Sequence, residues 1–386
     1  MENKTFVRRE KGETPVLAIC YDFDKTLSPD NMQAQGFIQS VGYDVDEFWR
    51  ESNARAEANG MDSNLAYMYQ MLDTSEGAMV FSRQTLMEYG AQVKLYPGVE
   101  GWFSRMRDFG AAHGVTVEHY IISSGLKEMI EGTKVAGEFT EIYASSFYYN
   151  ERGVAKWPAQ VVNFTNKTQF LFRIEKGIPD INDARVNDFF PPDALRVPFR
   201  NMVYLGDSDT DVPCMKLVNA NGGHSVGVYD PDTGDKSKVF RMMNDARIRY
   251  YAPADYREGG ELDALLKTII LMTAENEKLE NRYYACAREA QRYARMLEED
   301  EERKEQLISS LESSGNFAST HTLIGELSAH TGWTQAQADA LCAIAQKNSQ
   351  VSLILGDADV SAFYKKLLRS FSDPTENMRA LRERLS

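Results

Sequence analysis

Cysteine and histidine are scarce in this 386-residue chain, which has four of the first and five of the second. Cys20, Cys214, Cys286 and Cys342 are scattered, with no CxxC pair and no histidine at zinc-ligand spacing. A disulfide scaffold and a zinc module are therefore excluded, and the thiols read as buried groups in a reducing compartment. Long apolar runs are also missing. No stretch approaches the roughly 18 residues that a membrane-spanning helix needs, and the opening MENKTFVRREKGETP has no apolar signal core. The expected location is cytoplasmic, with no membrane partner. Basic side chains are in deficit, 43 against 57 acidic for a formal charge of −14, which disfavours nucleic acid as a partner. There is no internal repeat and no low-complexity tract beyond the acidic run from Glu298 to Glu302, which reads as a solvated helix face.

What is present is ample material for packed cores: 43% of residues are apolar and 11% aromatic. The length implies two or three domains. Five segments read as strands: VLAICY from Val16, VEHYIISSGL, NMVYLG ending at Gly206, GGHSVGVYD and IRYYAPAD. Helical patterns alternate with them in GVEGWFSRMRDFGAAHG, NKTQFLFRIEKG and DVPCMKLVNANGG. This alternation predicts an α/β fold, a doubly wound parallel sheet with crossover helices. Residues 1–29 and 96–265 would form that core, and 30–95 a helical insertion placed to close over the strand ends like a lid. From residue 266 the chain reads as all-helical. Met272, Asn276, Leu279, Tyr283, Cys286, Ala290, Tyr293, Leu297, Leu307 and Leu311 fall on a 4,3 alternation interrupted at Asp300 and Lys304. That heptad seam predicts a coiled coil or packed hairpin over 266–312. Residues 313–386 would form a separate helical module, with balanced charges, able to take a protein partner. Self-association through about 270–312 is expected, giving a homo-oligomer.

The chemistry concentrates at the predicted strand ends. Asp22 and Asp24 follow a continuous apolar run in LAICYDFDKTLSPDN, the pattern of a strand covered on both faces. In open α/β sheets ligands bind at the carboxyl ends of such strands. With Thr26 the two aspartates form DxDxT; a hydroxyl follows the second strand at Ser123, a lysine opens a helical pattern at Lys167, and Asp207 and Asp211 form GDxxxD. These four motifs, in this order over about residues 15–265, resemble the haloacid dehalogenase-like hydrolase superfamily in its phosphatase branch. The insertion after the first motif is similar in placement to the helical cap of the phosphoserine phosphatase-like group.

The resemblance implies an Mg²⁺-dependent phosphohydrolase acting on a small phosphorylated substrate through an aspartyl-phosphate. Asp22 would be the nucleophile and Asp24 the general acid and then base. Asp22, Asp24 through its backbone carbonyl, and Asp207 would hold Mg²⁺, with Asp211 a further member of the metal site that positions Lys167 or a metal-bound water. Lys167 and Ser123 would grip the phosphoryl oxygens, helped by Thr26 and by backbone N–H groups around Ser124 and Gly125. Ser124 remains an alternative to Ser123, and Lys156 and Lys176 are rivals to Lys167. His119 and His224 read as structural, and Asp209 as solvent-facing. Arg50, Arg55, Arg83 and Lys94 are the cap cations available to read a substrate. A phosphomutase would use the same core. A different class of reading treats the hydrolase-like core as a scaffold, the C-terminal helices carrying an interaction role.

Overall fold

The computed structural model describes residues 6–386, which divide into two compact units, one running to Glu280 and the other from Asn281 to Ser386. The first unit is built on a seven-stranded sheet in the order β4-β3-β2-β1-β5-β6-β7. Its strands are β1 (Val16–Tyr21), β2 (Thr116–Leu126), β3 (Glu141–Tyr149), β4 (Ala155–Gln160), β5 (Met202–Gly206), β6 (His224–Tyr229) and β7 (Tyr250–Pro253). Every neighbouring pair is parallel except β3 with β4. The α/β sheet is therefore mostly parallel, closed on one side by an antiparallel edge.

Two strands, β3 and β4, lie outside the five expected. β4 carries Pro158 and an exposed Trp157. It pairs only with β3, and an edge strand of this kind tolerates a residue without an N–H.

β1 explains the two-sided core. Leu17, Ile19 and Tyr21 point into one apolar cluster and Val16, Ala18 and Cys20 into another, because successive side chains leave opposite faces of a strand. The helix Val99–Ala112 supplies Trp102, Phe103 and Met106 to the first cluster. The helices Thr168–Lys176 and Val212–Ala220 supply Phe170, Ile174, Cys214 and Val218 to the second. Helices on both faces force the parallel crossovers and bring the carboxyl ends of β1, β2 and β5 to one edge.

The segment between β1 and β2 holds the helices Val45–Asn59, Ser63–Ser75 and Arg83–Gly90. Each has a side-chain N-cap: Asp44, Asp62 and Ser82 accept from backbone N–H groups of the first turn.

A single helix runs from Glu261 to Glu312. Leu262, Leu266, Ile269 and Ile270 near its start belong to the first unit's core. In the second unit, Leu307 and Leu311 pack with Ile324, Leu341, Phe363, Tyr364 and Met378 from the following helices. Among the described residues no helix is long and apolar enough to cross a membrane.

Candidate active site

β1 ends directly in Asp22, whose amide donates to the Leu205 carbonyl of β5 at 2.9 Å. The Phe23 amide then donates to Asp22 Oδ1 at 2.8 Å, fixing the carboxylate at the sheet edge. The chain turns through Lys25, a non-glycine residue at φ +57°, in the left-handed region that side chains with a Cβ rarely occupy. Two residues past Asp22, Asp24 Oδ1 accepts the Met32 amide at 2.8 Å. Thr26 is enclosed; its carbonyl accepts the Tyr256 hydroxyl at 2.7 Å, and its own hydroxyl has no protein partner.

β5 ends in Gly206, where a Cβ would stand 2.5 Å from Asp211 Oδ2. Glycine at that position is what allows Asp211 to fold beneath the strand end. Asp211 Oδ1 accepts from Lys167 Nζ at 2.7 Å and the Tyr204 hydroxyl at 2.9 Å, while Oδ2 accepts from the Ser208 amide at 3.1 Å and its hydroxyl at 2.9 Å. A carboxylate has about four acceptor sites, so Asp211 is saturated by protein donors.

Lys167 reaches from Asp211 to Asp22 Oδ1, 3.5 Å away, and is wholly buried. Carboxylate oxygens of Asp22, Asp207 and Asp211 lie within 4.8 Å of one another. Burial, reinforced by the charge of Asp211, pushes Asp22 up to about 7 despite the opposing pull of Lys167. Asp24 is held well above the usual carboxylate range by burial and then by the charge of Asp22. Burial alone would lower Lys167, but Asp211 and Asp22 more than offset it and keep the ammonium charged. Burial also raises Asp207, against the pull of Lys238. An excess of enclosed carboxylate over ammonium is an arrangement that a further cation would relieve.

The β2 end contributes a bulge. Its register against β3 shifts between Ser123 and Leu126, and the Gly125 amide donates to Ser123 Oγ at 3.1 Å. A Cβ on Gly125 would lie 3.1 Å from Asp24 Oδ2 and 2.4 Å from Met32 Cε. The bulge is thus pressed against Asp24 with no room for a side chain. Ser124 Oγ is buried without a protein partner, while its carbonyl accepts the Tyr67 hydroxyl at 2.8 Å. Tyr67 belongs to the inserted helix Ser63–Ser75, which also reaches the loop before Lys167: Asn64 donates to the Val162 carbonyl at 2.7 Å. Asp207 faces a cavity of ≈ 410 Å³ that is also lined by Lys25, Tyr96, Tyr229 and Lys238. Lys238 Nζ sits 3.2 Å from Asp207 Oδ2.

Of the three lysines considered from sequence, Lys167 is the one beside Asp22. Lys156 is exposed on β4, and Lys176 donates to the Val186 and Asp188 carbonyls. His119 is sealed between the Tyr21 hydroxyl and the Phe103 carbonyl, and burial pushes it down to about 3. Burial pushes His224 down to about 4. Asp209 is not simply solvated, since Arg247 lies 3.2 Å away. Arg50 pairs with Glu47, Arg55 with Gln70 and Asp73, and Arg83 with Glu131. Nothing in the sequence marks Tyr67 or Lys238 as part of this site. Neither falls in a motif, and only the folded topology brings the insertion and the helix Ser237–Asn244 to this edge.

No protein-family model matches the chain. It is 26% identical over 272 residues to an uncharacterized protein of Borreliella burgdorferi, a match covering 64% of this chain and 94% of that one. Among solved structures, a HAD family hydrolase from Salmonella enterica serovar Typhi overlays with a TM-score of 0.44 at 17% identity, covering 67% of this chain and 74% of its own. A probable phosphoserine phosphatase from Vibrio cholerae overlays at 0.42 and 14% identity, covering 68% and 67%. A phosphoserine phosphatase with a phospho-aspartyl intermediate analogue overlays at 0.39 and 14%, covering 66% and 99%.

Proposed function

We propose that the protein is a phosphohydrolase that cleaves the phosphate monoester of a small molecule through an aspartyl-phosphate on Asp22, as in haloacid dehalogenase-like phosphatases. The observation that carries this reading is the wholly buried Lys167 bridging Asp22 and Asp211 beside Asp207. A core kept only as a scaffold has little use for such an arrangement, because enclosing charges costs several kcal/mol per ion before any attraction is counted.

In the first step an Asp22 oxygen forms a bond to phosphorus as the bond to the leaving oxygen breaks, and Asp24 gives that oxygen its proton. The raised Asp24 suits the role, since the acid has to start protonated, whereas Asp22, raised to about 7, has to be ionised and is drawn that way by Lys167 and by a bound cation. In the second step water attacks phosphorus, Asp24 takes the water's proton, and the bond to Asp22 breaks to release inorganic phosphate. Lys167, with Ser123 and the backbone N–H groups of the Ser124–Gly125 bulge, orients the phosphoryl oxygens and balances their charge. The donor set fits a hard divalent cation. Asp22 and Asp207, with the Asp24 backbone carbonyl, would hold Mg²⁺, which when bound neutralises charge between the carboxylates and the phosphate dianion. Asp211, already saturated by protein donors, acts by holding Lys167. The insertion, latched by Tyr67 onto the Ser124 carbonyl, limits access of bulk water.

The test is release of inorganic phosphate from an aryl phosphate with Mg²⁺. Asp22→Asn is expected to lower turnover on the order of 10⁴-fold or more, with the circular dichroism spectrum retained. Turnover near that of the unaltered chain would sink the proposal. A phosphomutase would instead return the phosphoryl group to an organic product.

A further inference from the structure

The middle of the helix Glu261–Glu312 is bare. Leu279 is 70% exposed, Tyr283 65% and Tyr293 60%, and Met272, Cys286, Ala290 and Leu297 are exposed as well. These residues are not scattered over the helix. With the half-buried Asn276 they form one stripe at alternating spacings of four and three, the period that keeps an apolar seam facing a partner helix. With Asn276 at position a, the seam runs Met272 d, Leu279 d, Tyr283 a, Cys286 d, Ala290 a, Tyr293 d and Leu297 a.

The charges beside the seam select the partner's direction. In a parallel pair each g residue faces the e residue five positions on in the other chain. That sets Glu275 against Glu280 twice over and leaves Arg282 and Glu289 facing Ala287 and Ala294. Glu275 and Glu280 already hold Lys278 and Arg200 of their own chain, so such a pair gains no charge attraction across its flanks.

In an antiparallel pair with its two-fold axis between Tyr284 and Ala285, the whole seam is used. Met272 meets Leu297 of the second copy, Asn276 meets Tyr293, Leu279 meets Ala290, and Tyr283 meets Cys286. In the two central layers a large side chain opposes a small one, and the one polar amide opposes a phenol that can bond to it. On the flank, Arg282 faces Glu289 of the second copy, and the symmetry repeats that pair. Self-complementarity of this kind is what a closed two-fold interface demands.

We infer that two copies of this chain associate through an antiparallel coiled coil of residues 272–297, centred between Tyr284 and Ala285.

Light scattering on the full chain at micromolar concentration is expected to give twice the 43.7 kDa chain mass. The double substitution Leu279→Glu with Tyr293→Glu should halve it while helicity by circular dichroism is unchanged. Cysteine cross-linking reads the direction. Cys286 is the exposed cysteine of the four, the other three being buried. Under mild oxidation Tyr283→Cys should yield a covalent dimer on a non-reducing gel, the introduced thiol bonding to Cys286 of the second copy, whereas the unaltered chain should not. A full-length monomer, or a dimer indifferent to the double substitution, would overturn the inference. Ready cross-linking of the unaltered chain through Cys286 would mean a parallel pair and overturn it equally.

Discussion

The Lys167 ammonium stands 2.7 Å from Asp211 Oδ1, and solvent reaches neither side chain. The pair is therefore structural before it is chemical. Replacing Lys167 by Met would leave Asp211 and Asp22 enclosed without their cation. Removing one member of a buried pair costs about 3–5 kcal/mol. Lys167→Met is expected to lose that much stability in urea denaturation and to lose the proposed phosphatase turnover by orders of magnitude. Unchanged stability would show that the pair is not enclosed as described.

Lys238 and Asp207 make the second prediction. The ammonium lies 3.2 Å from the carboxylate and is partly open to the adjoining cavity, so a divalent cation binding at Asp207 has to displace it. Lys238→Met removes both the competitor and a like charge. Magnesium binding, measured by calorimetry without substrate, should tighten several-fold. Weaker binding in the variant would show that Lys238 supports the cation rather than competing with it.

A third prediction concerns the second unit. His321 Nδ1 lies 3.0 Å from Asp359 and Nε2 3.1 Å from Asp357, at the start of the helix Ala358–Arg369. The hydrogen bond and charge of Asp359 raise the His321 pKa above its ordinary 6.5. For a group raised in the folded state, the stabilisation is complete below the unfolded pKa and lost as pH climbs through the folded one. The melting temperature of the full chain's second unit should therefore fall from about pH 6 upward through the raised value. His321→Gln should flatten that slope. An unchanged slope in the variant would assign the pH dependence to other groups.

How far the sequence could be read depended on whether a residue's neighbours along the chain were also its neighbours in space. β1, β2 and β5 carry apolar runs that end in motif residues, so the sheet edge and the grouping of Asp22, Asp207 and Asp211 were legible. β3 and β4 were not, because a helix of only six residues, Lys127–Gly132, separates β2 from β3, and β4 mixes Pro158 with exposed side chains. The heptad seam was legible as a period but not in its extent. Leu307 and Leu311 turn into the second unit's own core, and Lys304 is buried against Asp300 and Glu301 at the break. Tyr67 and Lys238 act through distant partners and leave no local pattern.

The bond from Tyr67 to the Ser124 carbonyl ends on a backbone atom that every amino acid carries. The side chain at position 124 can consequently drift under mutation without loosening the hold on the inserted helix Ser63–Ser75, whereas position 67 has no such freedom if the bond is to persist. Among relatives of this chain, the fate of the latch would be written at one end of the bond only. A relative with all four motifs intact and phenylalanine at position 67 would keep the strand-end residues but lose this hold on the inserted helix Ser63–Ser75.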